Sequence, residues 1–221
     1  EMRYNIPMER DLRFFAPTGD GVFELTEKRS RFIALCFSAQ TEDGFRARLT
    51  EIRAKHRDAR HNVWAYVLPD GTERSSDDGE PSGTAGAPIL EMLRRENVRG
   101  CAVIVTRYFG GVLLGTGGLA RAYTAAAKGA LEVSNLRLYV TKHRVSVAVP
   151  YSIAAKVKFE ITSLGGTVES ADYAENVTFT ALFDAERVGA FTERVRELTA
   201  GASEVINCGI ATVGVDGDID P

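Results

Sequence analysis

Long apolar runs are missing from this sequence. Nothing in it approaches the roughly 18 to 20 uninterrupted apolar residues that a membrane-spanning helix needs, and no charged, apolar, small-residue signal opens it. The expectation is a soluble protein of the cytoplasm. Cysteine is scarce too. Cys36, Cys101 and Cys208 are odd in number, far apart and set in apolar surroundings such as "IALCFSA" and "RGCAVIV", which argues against a disulfide framework and reads as buried thiols of a reducing compartment. With only 3 histidines and no paired Cys or His spacing, a structural zinc site is not expected. A large charge of one sign is also absent: the formal net charge is −3, which argues against a protein that coats nucleic acid.

What is present is a globular composition, 44 % hydrophobic over 221 residues, enough for one large or two small cores. The charge is unevenly spread. From Thr141 to Pro221 there are 7 basic against 12 acidic residues, a net of −5, which leaves +2 for the preceding part. There Arg46, Arg48, Arg53, Lys55, Arg57 and Arg60 cluster along one predicted helix and its exit.

Residues 1–18 mix charge and proline without periodicity and read as a flexible leader. "GVFELTE" and "RFIALCFSA" read as a hairpin, and Thr41 caps a helix that carries Phe45, Leu49 and Ile52 on one face and ends near His56. "HNVWAYVL" is a strand. The following "PDGTERSSDDGEPSGTAG" has almost nothing apolar to bury and is expected to be a long exposed loop. "APILEMLRREN" is a helix, "RGCAVIVTRYF" the central strand, and Leu119, Ala122, Tyr123, Ala126 and Ala130 mark the apolar face of the next helix. After Asn135 the order restarts as strand, helix, strand, strand, helix, strand, the ferredoxin-like order. The resulting expectation is an α+β chain of two domains, residues 19–136 and 137–213, with an acidic tail over 214–221.

The richest chemistry lies in "RYFGGVLLGTGGLARAY". A helix that begins after a glycine-rich turn points unpaired N–H groups outward, and its dipole adds about half a positive charge there. Gly115, Thr116, Gly117 and Gly118 supply such amides, and Arg60, Arg107 and Arg121 supply guanidinium groups suited to phosphate. Tyr108 can stack on a base or finish a core, and Phe109 reads as core. The segment matches neither the Walker pattern nor the dinucleotide fingerprint. Close packing of helix on sheet accounts for the glycines as well as a bound phosphate does. Asp77, Asp78 and Glu80 form either a solvated acidic turn or a magnesium site, with Ser82 and Thr84 as caps of the next helix. His61 reads as a strand-edge histidine bonded to backbone, or, if the chain is an enzyme, as a general base, with Asp78 the other catalytic candidate.

Together, "ARHNVWAYVL", "SSDDGEPSGTAGAPIL" and "VTRYFGGVLLGTGGLARAYTAAAKGAL" resemble the IMPACT family, in particular its bacterial two-domain branch. The resemblance covers about Phe23 to Leu131. It implies an N-terminal α/β sandwich of the type found in the second domain of a small-subunit ribosomal protein, followed by a ferredoxin-like domain. The family's eukaryotic members look like translational regulators. Two function classes follow. The first is a non-enzymatic, translation-related binding protein that contacts RNA, the ribosome or a translation factor and needs no cofactor. The second is an enzyme acting on a small phosphorylated substrate, a phosphotransferase or hydrolase, with magnesium at the acidic loop.

Overall fold

The computed structural model describes residues 12–215. The chain forms two compact units, one from Phe14 to Leu138 and the other from Tyr139 to Val215 with Arg13. Residues 1–11 of the expected leader and residues 216–221 of the expected acidic tail lie outside the described residues.

The described part of the expected leader is ordered. Arg13–Pro17 is a strand, β1, with Phe14 and Ala16 buried. Phe15 exchanges backbone hydrogen bonds with Asn97 and Arg99, each 2.9 Å. The first unit continues with β2 (Gly21–Glu27), β3 (Ser30–Ser38), α1 (Glu42–Lys55), β4 (His61–Val67), β5 (Glu73–Ser76), α2 (Gly86–Arg95), β6 (Cys101–Tyr108) and α3 (Thr116–Glu132). The five-stranded sheet runs β2-β3-β6-β4-β5, antiparallel throughout. Its two faces follow from strand alternation. Odd positions of β6 and β4, such as Val103, Val105, Val63 and Ala65, pack with the buried sides of α2 and α3, while Ile104 and Tyr66 pack with Phe45 and Leu49 of α1. Each large apolar side chain so buried contributes about 1.5–3 kcal/mol.

Thr41 caps α1 by accepting from the Gly44 N–H at 3.1 Å, as its sequence predicts. The cap of α2 is different. Neither Ser82 nor Thr84 supplies it; Thr84 donates to the Pro81 carbonyl, and Asp77 reaches across to accept from Gly83, Ala85 and Gly86 N–H at 2.8–3.0 Å. The expected exposed loop is likewise only partly a loop. Its "ERSS" is β5, an edge strand paired to β4, and Glu80, Thr84 and Ala85 are buried.

The second unit contains β7 (Leu136–Val149, from Tyr139 on), α4 (Tyr151–Ser163), β8 (Thr167–Tyr173), β9 (Val177–Phe183), α5 (Ala185–Thr199) and β10 (Val205–Gly214). The strand order β8-β9-β7-β10 is that of a ferredoxin-like sheet. Its core is built from β7, β9, α4 and α5, with Phe183 stacked on Phe191 at 4.7 Å. No helix among the described residues is long and apolar enough to cross a membrane.

Two of the three thiols match the buried reading. The Cys36 and Cys101 sulfurs lie 3.6 Å apart in the first unit's core, whereas Cys208 is exposed, because it lies on β10, most of whose residues are open to solvent.

Candidate functional site

The candidate site is built on one row of the first sheet. Register places Arg107 of β6 opposite Phe32 of β3 on one side and His61 of β4 on the other, all facing α3. Arg107 ends an apolar strand and is itself only 6 % exposed. A buried guanidinium needs a counter-charge, and Glu80 provides it, with Oε1 2.6 Å from Arg107 Nη1. The Tyr123 hydroxyl of α3 donates to the same oxygen at 2.7 Å. Burial, reinforced by that carboxylate, holds the Tyr123 phenol far above its ordinary value, so it stays a donor. Arg107 Nη2 reaches Ser30 Oγ at 3.3 Å, and its ring neighbours are Phe32 and Phe109 at 5.4 and 5.6 Å. Its Nε is buried and has no hydrogen-bond partner among the described residues.

Above this network opens a cleft of about 330 Å³, lined by Arg60, His61, Glu80, Pro81, Arg107, Phe109, Leu113, Leu114, Gly115, Thr116 and Leu119. Gly115, with φ +74°, is the N-cap of α3, a conformation that side chains with a Cβ rarely adopt. The N–H groups of Thr116, Gly117 and Gly118 lie in the first turn, where no i−4 carbonyl exists for them. Gly110 has another cause: a Cβ there would collide with the Arg29 backbone, so this glycine lets the loop cross the β2–β3 turn.

Of the residues singled out by sequence, Arg60, His61, Glu80, Arg107, Gly115 and Thr116 line one cleft. Gly117 and Gly118 continue the same helix turn, and the Arg121 guanidinium lies about one van der Waals contact from the Cβ position of Gly117. Tyr108 is not among them. Strand alternation turns it to the opposite face, where its hydroxyl meets His56 Nδ1 at 2.9 Å. Phe109 is 51 % exposed rather than core, because the chain leaves the sheet at that residue. Three of the six basic residues in the α1 cluster are already paired: Arg46 with Glu42, Arg48 with Asp20 and Glu51, Arg53 with Asp78.

The acidic turn is neither solvated nor convergent. Asp77 caps α2; Asp78 binds Arg53 at 2.6 Å and the Asn62 N–H at 2.7 Å; Glu80 faces Arg107. The three carboxylates thus serve three different partners and do not fit a shared magnesium ion. Among the described residues no group of three or more His, Cys, Asp or Glu is disposed to hold a metal. Sequence reasoning missed Tyr123 and Ser30 as polar members of the site. The available signal was Arg107 itself, a charge at the end of an otherwise apolar strand. On the other face, a cleft of about 230 Å³ under α1 has an apolar floor that includes Ile33, Leu35 and Ile104.

The comparisons agree with this architecture. Residues 28–131 match the Impact N-terminal domain, and residues 147–202 match a domain of unknown function, DUF1949. The chain is 33 % identical over 194 residues to the IMPACT family member YvyE of Bacillus subtilis, covering 87 % of this chain and 89 % of that one. It is 31 % identical over 183 residues to YigZ of Escherichia coli, covering 81 % and 90 %. Protein IMPACT of Oryctolagus cuniculus is 31 % identical over 113 residues, 48 % of this chain and 35 % of that protein. A crystal structure of a hypothetical protein superposes with a TM-score of 0.58 at 28 % identity, covering 88 % of this chain and 96 % of the other.

Proposed function

The chain belongs to the IMPACT family, and from that premise we propose that it is a non-enzymatic binding protein whose first unit grips RNA phosphate in the course of translation. One observation carries the reading. A nine-tenths buried arginine with an unpartnered Nε lines the same cleft as Gly115 and Thr116, the N-cap and first residue of a 17-residue helix whose first-turn amides are unpaired. Arg60 at the mouth makes no ion pair among the described residues and adds free positive charge. Helix dipole, amides and the Arg60 guanidinium all favour an anion there. A translation factor or the ribosome presenting phosphate would meet the same groups.

The enzyme reading finds His61 in the cleft but no group of three or more metal-ligating side chains among the described residues. Asp78, which that reading gives to a metal, spends both carboxylate oxygens on Arg53 and Asn62.

The test is equilibrium binding of a labelled structured RNA to the full chain across a salt series. Affinity is expected to fall by roughly 0.7–0.9 log units per log unit of salt for each phosphate contacted. Gly117→Glu places a carboxylate in the exposed first turn of α3. That charge suits the helix dipole, so the fold is kept while the anion site is filled, and RNA affinity is expected to drop at least about tenfold. No RNA binding at low salt, or an unchanged affinity in Gly117→Glu, refutes the reading.

A further inference from the structure

Besides cationic and amide donors and the Glu80 carboxylate already engaged by Arg107 and Tyr123, the cleft presents a free acceptor. His61 Nδ1 lies 2.9 Å from the Asp78 backbone carbonyl oxygen. A carbonyl only accepts, so in the neutral ring the proton sits on Nδ1 and Nε2 carries a lone pair. No bond to Nε2 exists among the described residues, and the ring lines the cleft in register with Arg107. An anion site made of donors alone has no use for that lone pair; a ligand bearing hydroxyl donors beside its phosphate does.

The cleft also has apolar walls left open. Leu113 is 82 % exposed and Phe109 51 %, both on the loop that leads into α3. A passing sugar-phosphate backbone gives these side chains nothing to cover, whereas a planar base does. The volume, about 330 Å³, is at the small end of ligand pockets and suits one compact ligand.

Resting on the phosphate reading above, we propose that the cleft receives a single ribonucleoside monophosphate unit. Its phosphate lies on the first-turn amides of α3 and Arg60, a ribose hydroxyl donates to His61 Nε2, and its base covers Phe109 and Leu113. The unit is either a free nucleotide or the phosphorylated end of an RNA chain.

Calorimetric titration of the full chain compares inorganic phosphate, adenosine 5′-monophosphate, its 2′-deoxy and 3′-deoxy forms, and short RNAs with phosphorylated or hydroxyl ends. The nucleotide is expected to bind about tenfold tighter than phosphate, from base contact. One of the two deoxy forms is expected to lose about fivefold, from one hydrogen bond. His61→Asn keeps an N–H donor toward Asp78 but offers nothing where Nε2 stood. It is expected to abolish the ribose preference while leaving phosphate affinity unchanged. Leu113→Ser, at an exposed position, is expected to narrow the advantage of nucleotide over phosphate. A preference for phosphorylated RNA ends identifies the chain end as the source; tight nucleotide binding without it identifies the free nucleotide, and both uphold the proposal. Nucleotide binding no tighter than phosphate, or equal binding of both deoxy forms and the ribonucleotide, overturns it. In that case the salt-dependent RNA binding and the Gly117→Glu effect remain as evidence for the phosphate site. Loss of phosphate and RNA binding together overturns both.

Discussion

Replacing Glu80 with glutamine removes one charge from a pair whose side chains are 7 % and 4 % exposed, and leaves Arg107 buried without a counter-ion. Removing one partner of a buried pair costs about 3–5 kcal/mol, because the remaining charge is uncompensated. The Tyr123 hydroxyl still has an oxygen to donate to, but a neutral one, which forfeits about 1 kcal/mol of charge assistance. We therefore expect a loss of about 4–6 kcal/mol, borne by the first unit. Trp64, the only tryptophan, stands 4.9 Å from Phe45 in that unit, so its fluorescence follows the unfolding of interest. At a urea m-value of about 2 kcal/mol/M, the midpoint moves down by roughly 2–3 M. Glu80→Leu combined with Arg107→Met removes both charges, and its cost is expected to fall well below the sum of the two singles. The control is Glu24→Gln, which breaks the exposed Arg31–Glu24 pair and is expected to leave the midpoint in place. A Glu80→Gln shift worth under 1 kcal/mol, or an additive double variant, would mean that water reaches the pair and that no buried network underlies the cleft.

Four further outcomes follow from other contacts. Asp77→Ala releases three backbone N–H groups at the start of α2 and is expected to cost about 1–2 kcal/mol or more by urea unfolding. Gly189→Ala, on α5 with open space at its Cβ position, is expected to gain about 0.5–1 kcal/mol, whereas Gly129→Ala on α3 meets the Phe23 ring at 2.5 Å and is expected to lose stability; equal effects would refute the packing argument. Burial, then the positive charges of Lys55 and Arg31, push His56 below its ordinary value. Its contribution is thus fully present above about pH 6.5 and is lost as pH falls below that, a decline that His56→Ala should flatten and that histidine NMR titration can assign. Of the three thiols only Cys208 is expected to react with a thiol reagent in the native state; fast labelling of Cys36 or Cys101 would show that the core opens.

Much of the fold was legible because local chemistry and packing agreed. Thr41 both looks like a cap and is one, and the Leu119–Ala130 face is apolar because it lies on a sheet. β5 was not legible: "ERSS" carries no alternation of apolar residues, since an edge strand so polar owes its place to β4 rather than to its own burial. The site was legible in part. Position after an apolar strand picked out Arg107, and the glycine pattern picked out the α3 turn. What stayed hidden was long-range: that Glu80, 27 residues away, would turn inward to Arg107, and that Tyr123 would join it. Three adjacent carboxylates look like one cluster in sequence, and only the fold sends them to three separate places.

The strand order of the first sheet governs how the protein can be made. β6 bridges the β2–β3 and β4–β5 hairpins, and it follows both in the chain. Until residue 108 has been synthesised, those hairpins are separate two-stranded ribbons, marginal by themselves. From the end of β3 to that point is about 70 residues, and at about 5–20 residues per second the interval lasts roughly 4–14 s. Throughout it the edge of β3, with Phe32, Ile33, Leu35 and Phe37, has no β6 to pair with. The strand that carries Arg107 therefore also closes the β3 edge to edge-to-edge aggregation in the nascent chain.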